Sequence, residues 1–403
     1  MGGVRSLAVW AGDKKAGLLA REEGRDYVFA YSPGAAAPAQ VSLTMPLRLA
    51  SWLSRDLHPI FQMNLPEGAL LETIRRAIAK LVGEDDMAIL RVTGGNQIGR
   101  NRFALPGDDA PSLSATPESL DEMLVYPDSR ELFQELVARY ALRSGISGIQ
   151  PKVMLEVAER ATLSSAGFIV KSWGTDFPQL AANEYFCMTA AKRAGLPVPE
   201  FHLSRNGGLL LLRRFDLAPE GGTIGFEDMC SLQALGTAQK YSGSYERVAR
   251  SLRDFVSSDH LPAAREQFFA TLVLSVMVRN GDGHLKNFGV LYPNPSGVVR
   301  LAPVYDLVTT TAYIKNDGPA LSIGGTKKWW PRKVLERFAV SHLSLPVSKV
   351  IDTIERMAEA VTETRTGISS YLKDHPEFSV IGERMLVAWN EGVKGLIKGP
   401  NPR

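Results

Sequence analysis

Three side chains in the second half of the chain are spaced for phosphoryl chemistry. Asp282 and Asn287 stand five residues apart in Asn280-Gly281-Asp282-Gly283-His284-Leu285-Lys286-Asn287-Phe288, and Asp306 follows nineteen residues later. A loop carboxylate can accept the proton of an attacking hydroxyl. An amide oxygen and a second carboxylate suit a hard divalent cation, which takes oxygen ligands and fills its shell with phosphates. The spacing lets one loop aim a carboxylate at a nucleophile and turn an amide back toward a metal. It also fits a capped turn, and Asp306 equally fits a cap on the turn behind it.

Rigid elements must hold these groups. The apolar run Phe268 to Val278 reads as a core helix before the loop, and Gly289-Val290-Leu291-Tyr292 as a strand after it. Leu301-Ala302-Pro303-Val304-Tyr305-Asp306-Leu307 reads as an apolar strand ending in a carboxylate. Upstream, Phe168-Ile169-Val170-Lys171 puts a lysine at a strand end, as in the V-A-I-K strand whose lysine holds nucleotide phosphates. A helix over Asn183 to Ala194, ended by Gly195 and Pro197, carries Glu184 as a candidate partner for Lys171. The strand Leu209 to Leu212 runs into Arg213-Arg214-Phe215-Asp216, which suits either a hinge against an adenine or an ordinary strand exit. Ser144-Gly145-Ile146-Ser147-Gly148-Ile149-Gln150-Pro151-Lys152 is a loop whose glycines let backbone N–H groups approach phosphate. It matches neither the P-loop nor the dinucleotide fingerprint. Taken in order, these are the parts of a protein kinase: flexible loop, strand lysine, helix glutamate, hinge, Asp-x4-Asn loop, metal carboxylate.

The remaining stretches give the frame. Ser6 to Trp10, Ala16 to Leu19 and Tyr27 to Tyr31 alternate as short antiparallel strands. Leu70, Leu71, Ile74, Ala77, Ile78 and Leu81 share a helix face, and another helix starts between Glu84 and Leu90. Residues 106–118, rich in Pro, Asp, Ser and Thr, read as a linker. Val347 to Leu372 and Phe378 to Ile397 read as two long helices. A β-rich start followed by mixed and then helical sequence predicts an α+β class: a two-lobed, protein-kinase-like core, a small β-rich N-terminal subdomain and an α-rich C-terminal lobe. The expected divisions are 1–105, 106–118, 119–215 with the nucleotide loop, and 216–403.

Composition narrows the function. With 403 residues the chain has room for two or three domains. Its 46 basic and 43 acidic residues leave a net charge of +3, which argues against direct commitment to DNA or an anionic membrane. Cys187 and Cys230 are too few for a disulfide framework and lack zinc spacing, so a reducing, cytoplasmic setting is expected. The longest apolar run falls well short of the ~20 residues that span a bilayer. The six histidines form no H-E-x-x-H, and no G-x-S-x-G occurs, so zinc enzymes and nucleophile-elbow hydrolases are set aside. Trp329-Trp330 reads either as a partly buried helix start or as a partner surface.

The chain resembles the HipA family of serine/threonine kinases, the toxins of type II toxin–antitoxin systems. The resemblance rests on Gly148 to Lys152, Asn183-Glu184-Tyr185, Arg214-Phe215-Asp216, Glu227-Asp228-Met229-Cys230, Asp282 to Phe288 and Tyr305-Asp306. It covers an N-terminal coupling subdomain, about 4–105, and a kinase core, about 140–372. It implies ATP and Mg²⁺, with Asp282 as catalytic base, Asn287 and Asp306 on the metal, and Lys171 on the phosphates. Ser147, Gly148, Ile149, Gln150, Pro151 and Lys152 would line the nucleotide and Arg213, Arg214 and Phe215 would form the hinge, with His284, Lys286 and Tyr305 nearby. It further implies a HipB-like helix-turn-helix antitoxin, with DNA reached only through it, and a translation target such as an aminoacyl-tRNA synthetase. The family's inhibitory autophosphorylation serine often lies three residues before the glycine matched by Gly148. Gly145 stands there in this chain, so Ser147 is the expected site and Ser144 the second. Phosphate on that loop adds about −1.5 to −2 charge and would eject it. The other readings are a small-molecule phosphotransferase, which shares the Asp-x4-Asn logic, and a non-catalytic co-repressor working through a DNA-binding antitoxin.

Overall fold

Five short strands among the first 104 residues build an antiparallel sheet. Its order is Trp52–Ser54, Tyr27–Tyr31, Lys14–Arg21, Ser6–Ala11, Asn101–Ala104. The register sets Leu7 opposite Leu19, Leu19 opposite Phe29, and Val9 opposite Phe103, so one face is a continuous apolar surface. Phe61 packs edge-on against Phe29 and Phe103, with ring centroids 5.1 and 5.8 Å away. Truncating it to alanine would cost about 3–5 kcal/mol.

The structure, a computed structural model, describes residues 4–22, 26–79, 85–111, 116–159, 164–218 and 221–397. It is α+β and divides into two compact units. One comprises Met1–Ser172, Leu211–Gln239 and Gly289–Val299; the other comprises Trp173–Leu210, Lys240–Phe288 and Arg300–Arg403.

In the first unit, helix Gly68–Ile78 buries Leu70, Ile74 and Ile78, a stripe narrower than expected. Ala77 is exposed, and Leu81 and Glu84 lie outside the described residues. The next helix is Asp86–Thr93, and the Asp85 carboxylate caps it by accepting from Ala88 N at 2.9 Å. Of the stretch expected to be a linker, 112–115 lies outside the described residues, and Glu118 and Ser119 pair in parallel with Val157 and Ala158. The hairpin Lys152–Glu159 and Ser164–Lys171 follows, with Lys152 directly opposite Lys171. Strand Gly225–Asp228 pairs antiparallel with Gly289–Tyr292. Here the fully buried Glu227 accepts from Ser42 Oγ and Leu43 N, both at 2.7 Å, and from Tyr292 Oη at 2.5 Å. That carboxylate staples the 42–43 turn to the strand pair, and burial pushes it up to about 7.

The second unit is mainly helical. Helix Leu261–Met277 is buried on all sides from Phe268 onward. Helices Tyr245–Phe255, Arg332–Leu343, Val347–Asp374 and Ser379–Ile397 pack around it. It begins seven residues before the apolar run, because its first two turns carry the polar Arg265, Glu266 and Gln267. Helix Leu180–Arg193 ends at Gly195, which takes φ +72°, the left-handed turn that stops helices. Trp330 is buried just before helix Arg332–Leu343. No helix among the described residues is long and apolar enough to cross a membrane.

Candidate active site

The loop 280–288 is held at both ends and in the middle. Arg279 leaves the core helix at φ +58°, and Asn280 N donates to Ser275 O at 2.8 Å. The Asn280 side chain accepts from Asp282 N at 3.0 Å, a local turn that lifts the carboxylate out of the helix line. Gly281 N donates to Thr310 Oγ1 at 2.8 Å. A Cβ on Gly281 would lie 2.0 Å from Asp317 Oδ2, so only glycine fits this turn. Tyr245 Oη donates to Gly283 O at 2.8 Å, and Leu285, sunk in the core, donates its N–H to Lys240 O at 3.1 Å.

This frame fixes the candidate groups. Asp282 is half-buried, and burial pushes its carboxyl up to about 6; a hydrogen bond from Tyr241 opposes the rise and the Asp306 charge adds to it. Tyr241 Oη donates to Asp282 Oδ1 at 2.7 Å. His284 is buried and driven down to about 4, chiefly by desolvation, so it is neutral at pH 7. Its Nδ1 has no hydrogen-bond partner among the described residues. Asn287 gives Oδ1 to His284 N at 3.0 Å and directs Nδ2 at Asp306 Oδ2, 3.4 Å away.

Asp306 is not at a strand end as the sequence suggested. The strand stops at Leu301, and 302–309 has no regular structure. Pro303 has no N–H for a ladder, and the main chain is gripped elsewhere. Val304 N donates to Pro197 O at 2.8 Å, and Asn183 holds both backbone groups of Thr309, at 2.8 and 3.1 Å. Asp306 itself takes φ +57°. Tyr305 Oη donates to Lys286 O at 2.7 Å, tying this segment to the 280–288 loop. Thus Asp282, His284, Lys286, Asn287, Tyr305 and Asp306 form one connected group within the second unit.

These residues fit a hard cation and phosphates. The candidate ligands Asn287 and Asp306 offer oxygen, and the Asn287 carbonyl has a second lone pair beyond the one facing His284 N. No cluster of three or more His, Cys, Asp or Glu suited to a metal occurs among the described residues. Two protein ligands completed by substrate oxygens is the usual Mg²⁺ pattern. The orphaned Nδ1 of His284 is a buried polar atom suited to an incoming polar group.

The first unit carries the other predicted residues. Gly148 takes φ +118°, and a Cβ there would sit 2.2 Å from Lys152 Nζ. Lys152 Nζ donates to Ser147 O at 3.2 Å, Gln150 Nε2 to Ser172 O at 3.0 Å, and Ser172 N to Pro151 O at 3.0 Å. Ile149 is exposed. Ser147 Oγ donates to Glu67, the residue just ahead of helix Gly68–Ile78. Ser144 is fully buried; its hydroxyl donates to Tyr140 O at 2.8 Å and accepts from Met154 N at 2.9 Å. Lys152 and Lys171, both 4% exposed, stand opposite each other on one face of the hairpin.

Residues 213–215, read as a hinge or a strand exit, make different contacts. Arg213 is exposed, and Phe215 packs edge-on against Phe226 at 5.6 Å. Arg214 is committed elsewhere. Its guanidinium contacts both oxygens of Asp216 at 3.0 and 2.7 Å, Asn96 Oδ1 at 2.6 Å and Gln97 O at 2.8 Å. Asp216 also accepts from Gly99 N at 2.7 Å.

The sequence reading passed over Tyr241 and the Asn183 grip on Thr309. The only signals were a Lys-Tyr pair ahead of the Ser244 helix cap and an asparagine in an apolar helix face.

Residues 144–365 match the family model of the HipA-like C-terminal domain, and residues 7–104 that of the HipA N-terminal domain. Y4dM of Sinorhizobium fredii, which bears a provisional kinase name, is 29% identical over 333 residues, covering 75% of this chain and 74% of its own. Y4mE of the same organism, similarly named, is 27% identical over 336 residues, covering 77% and 78%. Among solved structures, HipA in the Shewanella oneidensis complex of HipA, HipB and operator DNA shares the fold, with a TM-score of 0.69, 19% identity and 98% coverage of both chains. With one of these models spanning more than half of its length, this chain belongs to the HipA family.

Proposed function

We propose that this protein is an ATP- and Mg²⁺-dependent protein serine/threonine kinase that acts as the toxin of a toxin–antitoxin pair. The observation that carries the reading is the side-chain group in which Asn287 reaches Asp306 at 3.4 Å on the loop bearing the half-buried Asp282 carboxylate. Asp282 takes the proton of the acceptor hydroxyl as that oxygen bonds to the γ-phosphorus and the bond to the bridging β–γ oxygen breaks, releasing ADP. Asn287 and Asp306 hold Mg²⁺, which supplies neutralisation of phosphate charge. His284 stays neutral at pH 7, so its unpartnered Nδ1 adds a polar contact without adding charge. Lys171, Lys152 and the 147–151 loop hold phosphates, supported by the two buried lysines opposed across the hairpin. Arg213 and Phe215 flank the base, while Arg214 acts through the backbone it fixes.

Ser147 is the proposed autophosphorylation site, because this residue is half-exposed whereas Ser144 is fully buried. Phosphate on Ser147 would face the Glu67 carboxylate, and like-charge repulsion would drive the loop away. Residues 1–105 form the proposed coupling subdomain and 106–118 its linker. A HipB-like antitoxin is the proposed partner, with DNA engaged through it and an aminoacyl-tRNA synthetase as the target class. In this reading the protein works in the cytoplasm.

Expression with and without the Asp282→Asn change, read as growth arrest and as transfer of labelled γ-phosphate to cell proteins, tests this. Arrest and protein labelling that vanish together support the toxin kinase. Arrest without labelling points to the co-repressor reading, and label on small molecules alone to the small-molecule phosphotransferase.

A further inference from the structure

Two tyrosines four residues apart grip the catalytic loop. Tyr245 is buried and donates to the Gly283 carbonyl, a main-chain contact that holds the loop's path. Tyr241 is 41% exposed, yet its hydroxyl is committed to Asp282 Oδ1 at 2.7 Å. Its ring also meets His284 edge-on, with centroids 5.0 Å apart at 73°. Its backbone is anchored, since Lys327 Nζ donates to Tyr241 O at 3.0 Å and Leu285 N to Lys240 O at 3.1 Å. An exposed tyrosine whose main chain, ring and hydroxyl are each engaged has little rotational freedom left. Asp282 Oδ2 makes no hydrogen bond among the described residues.

We propose that Tyr241 is a positioning residue for Asp282: its hydroxyl holds Oδ1 and so presents Oδ2 to the acceptor hydroxyl. This rests on reading Asp282 as the proton acceptor. A carboxylate turning on its two side-chain torsions can swing, and proton transfer needs its oxygen within hydrogen-bond reach of the nucleophile. The phenol restrains that swing by holding Oδ1, the oxygen that does not react. The opposite possibility, a tyrosine hydroxyl occupying the acceptor's place, makes the opposite prediction.

The test uses the full chain, labelled ATP, and casein as a generic hydroxyl acceptor. Tyr241→Phe keeps the ring against His284 and removes only the hydroxyl. Expected is a fall in kcat of about tenfold or more, the usual size for a hydrogen bond to a charged group, with the KM for ATP within about twofold and an unchanged melting temperature. In the Asp282→Asn background the same change should cost nothing further, since the group it orients is gone. Full kcat in Tyr241→Phe overturns the proposal, and a raised kcat overturns it in favour of the acceptor-mimic. An equal further loss in the Asp282→Asn background also overturns it. If Asp282→Asn itself keeps near-normal turnover, the catalytic reading falls instead, so the two failures are distinguishable.

Discussion

The Arg214–Asp216 network of the first unit and the Asp282 group of the second are both built from charged side chains, but they are finished to different degrees. Arg214 and Asp216 are each 1% exposed, and their five hydrogen bonds use both carboxylate oxygens and all three guanidinium nitrogens. Every side-chain nitrogen and oxygen of the pair is engaged within the protein. Asp282 keeps one oxygen uncommitted, and His284 one ring nitrogen. Buried polar groups that are saturated hold a fold, and those left incomplete at a reachable place are available for chemistry.

The sharpest way to break this contrast is to neutralise the open group. Asp282→Asn should lower phosphotransfer by about 10²–10⁴-fold, the range for losing a general base, while ATP affinity stays near that of the wild type. Labelled-phosphate transfer and equilibrium nucleotide binding, measured on one preparation, check this. In the unaltered protein, kcat/KM should fall on the acid side with an apparent pKa near 6, as Asp282 takes up its proton.

Breaking the closed network should instead destabilise the fold. Arg214→Met leaves Asp216 buried and unpaired, at a cost of about 3–5 kcal/mol. Urea denaturation would show it as a lowered midpoint, and an unshifted midpoint would remove the architectural role. Glu227 sharpens the same point through pH. Burial holds its carboxyl at about 7 against an ordinary 4.5, so the folded state binds the proton more tightly than the unfolded chain. Its stabilising effect is present below pH 4.5 and lost as pH rises through 7, of order 3 kcal/mol in all. Glu227→Gln should flatten that part of the denaturation-midpoint profile. Smallest is Gly148→Ala, where a left-handed backbone and a clash with Lys152 should cost about 1–3 kcal/mol. Under the proposed function it appears mainly as weaker ATP binding, and unaltered affinity would show that the loop's path does not matter to the nucleotide.

The 280–288 loop was legible because its logic is local: Asp282 and Asn287 stand five residues apart between an apolar helix and an apolar strand. The α+β order was legible for the same reason, since periodicity marks elements one at a time. Asp306 was identified, but its setting was misread. Apolar residues around it look like a strand, but Pro197 takes the Val304 N–H and the Asn183 side chain holds the Thr309 backbone, and both partners are distant in sequence. Arg214 next to an apolar strand looked like a ligand contact. Its partners Asn96 and Gln97 lie more than a hundred residues earlier, beyond the reach of any spacing argument. Tyr241 acquires meaning only through a contact spanning 41 residues.

The left-handed backbone at Asp306 has one further consequence. Aspartate and asparagine are among the few residues besides glycine that tolerate such a conformation. Under the proposed function, main-chain geometry and the need for a charged metal ligand therefore select the residue here for independent reasons. Glutamate would preserve the negative charge and forfeit the easy turn; asparagine would do the reverse. A side-by-side assay of those two replacements separates what the chain needs for its shape from what it needs for its reaction.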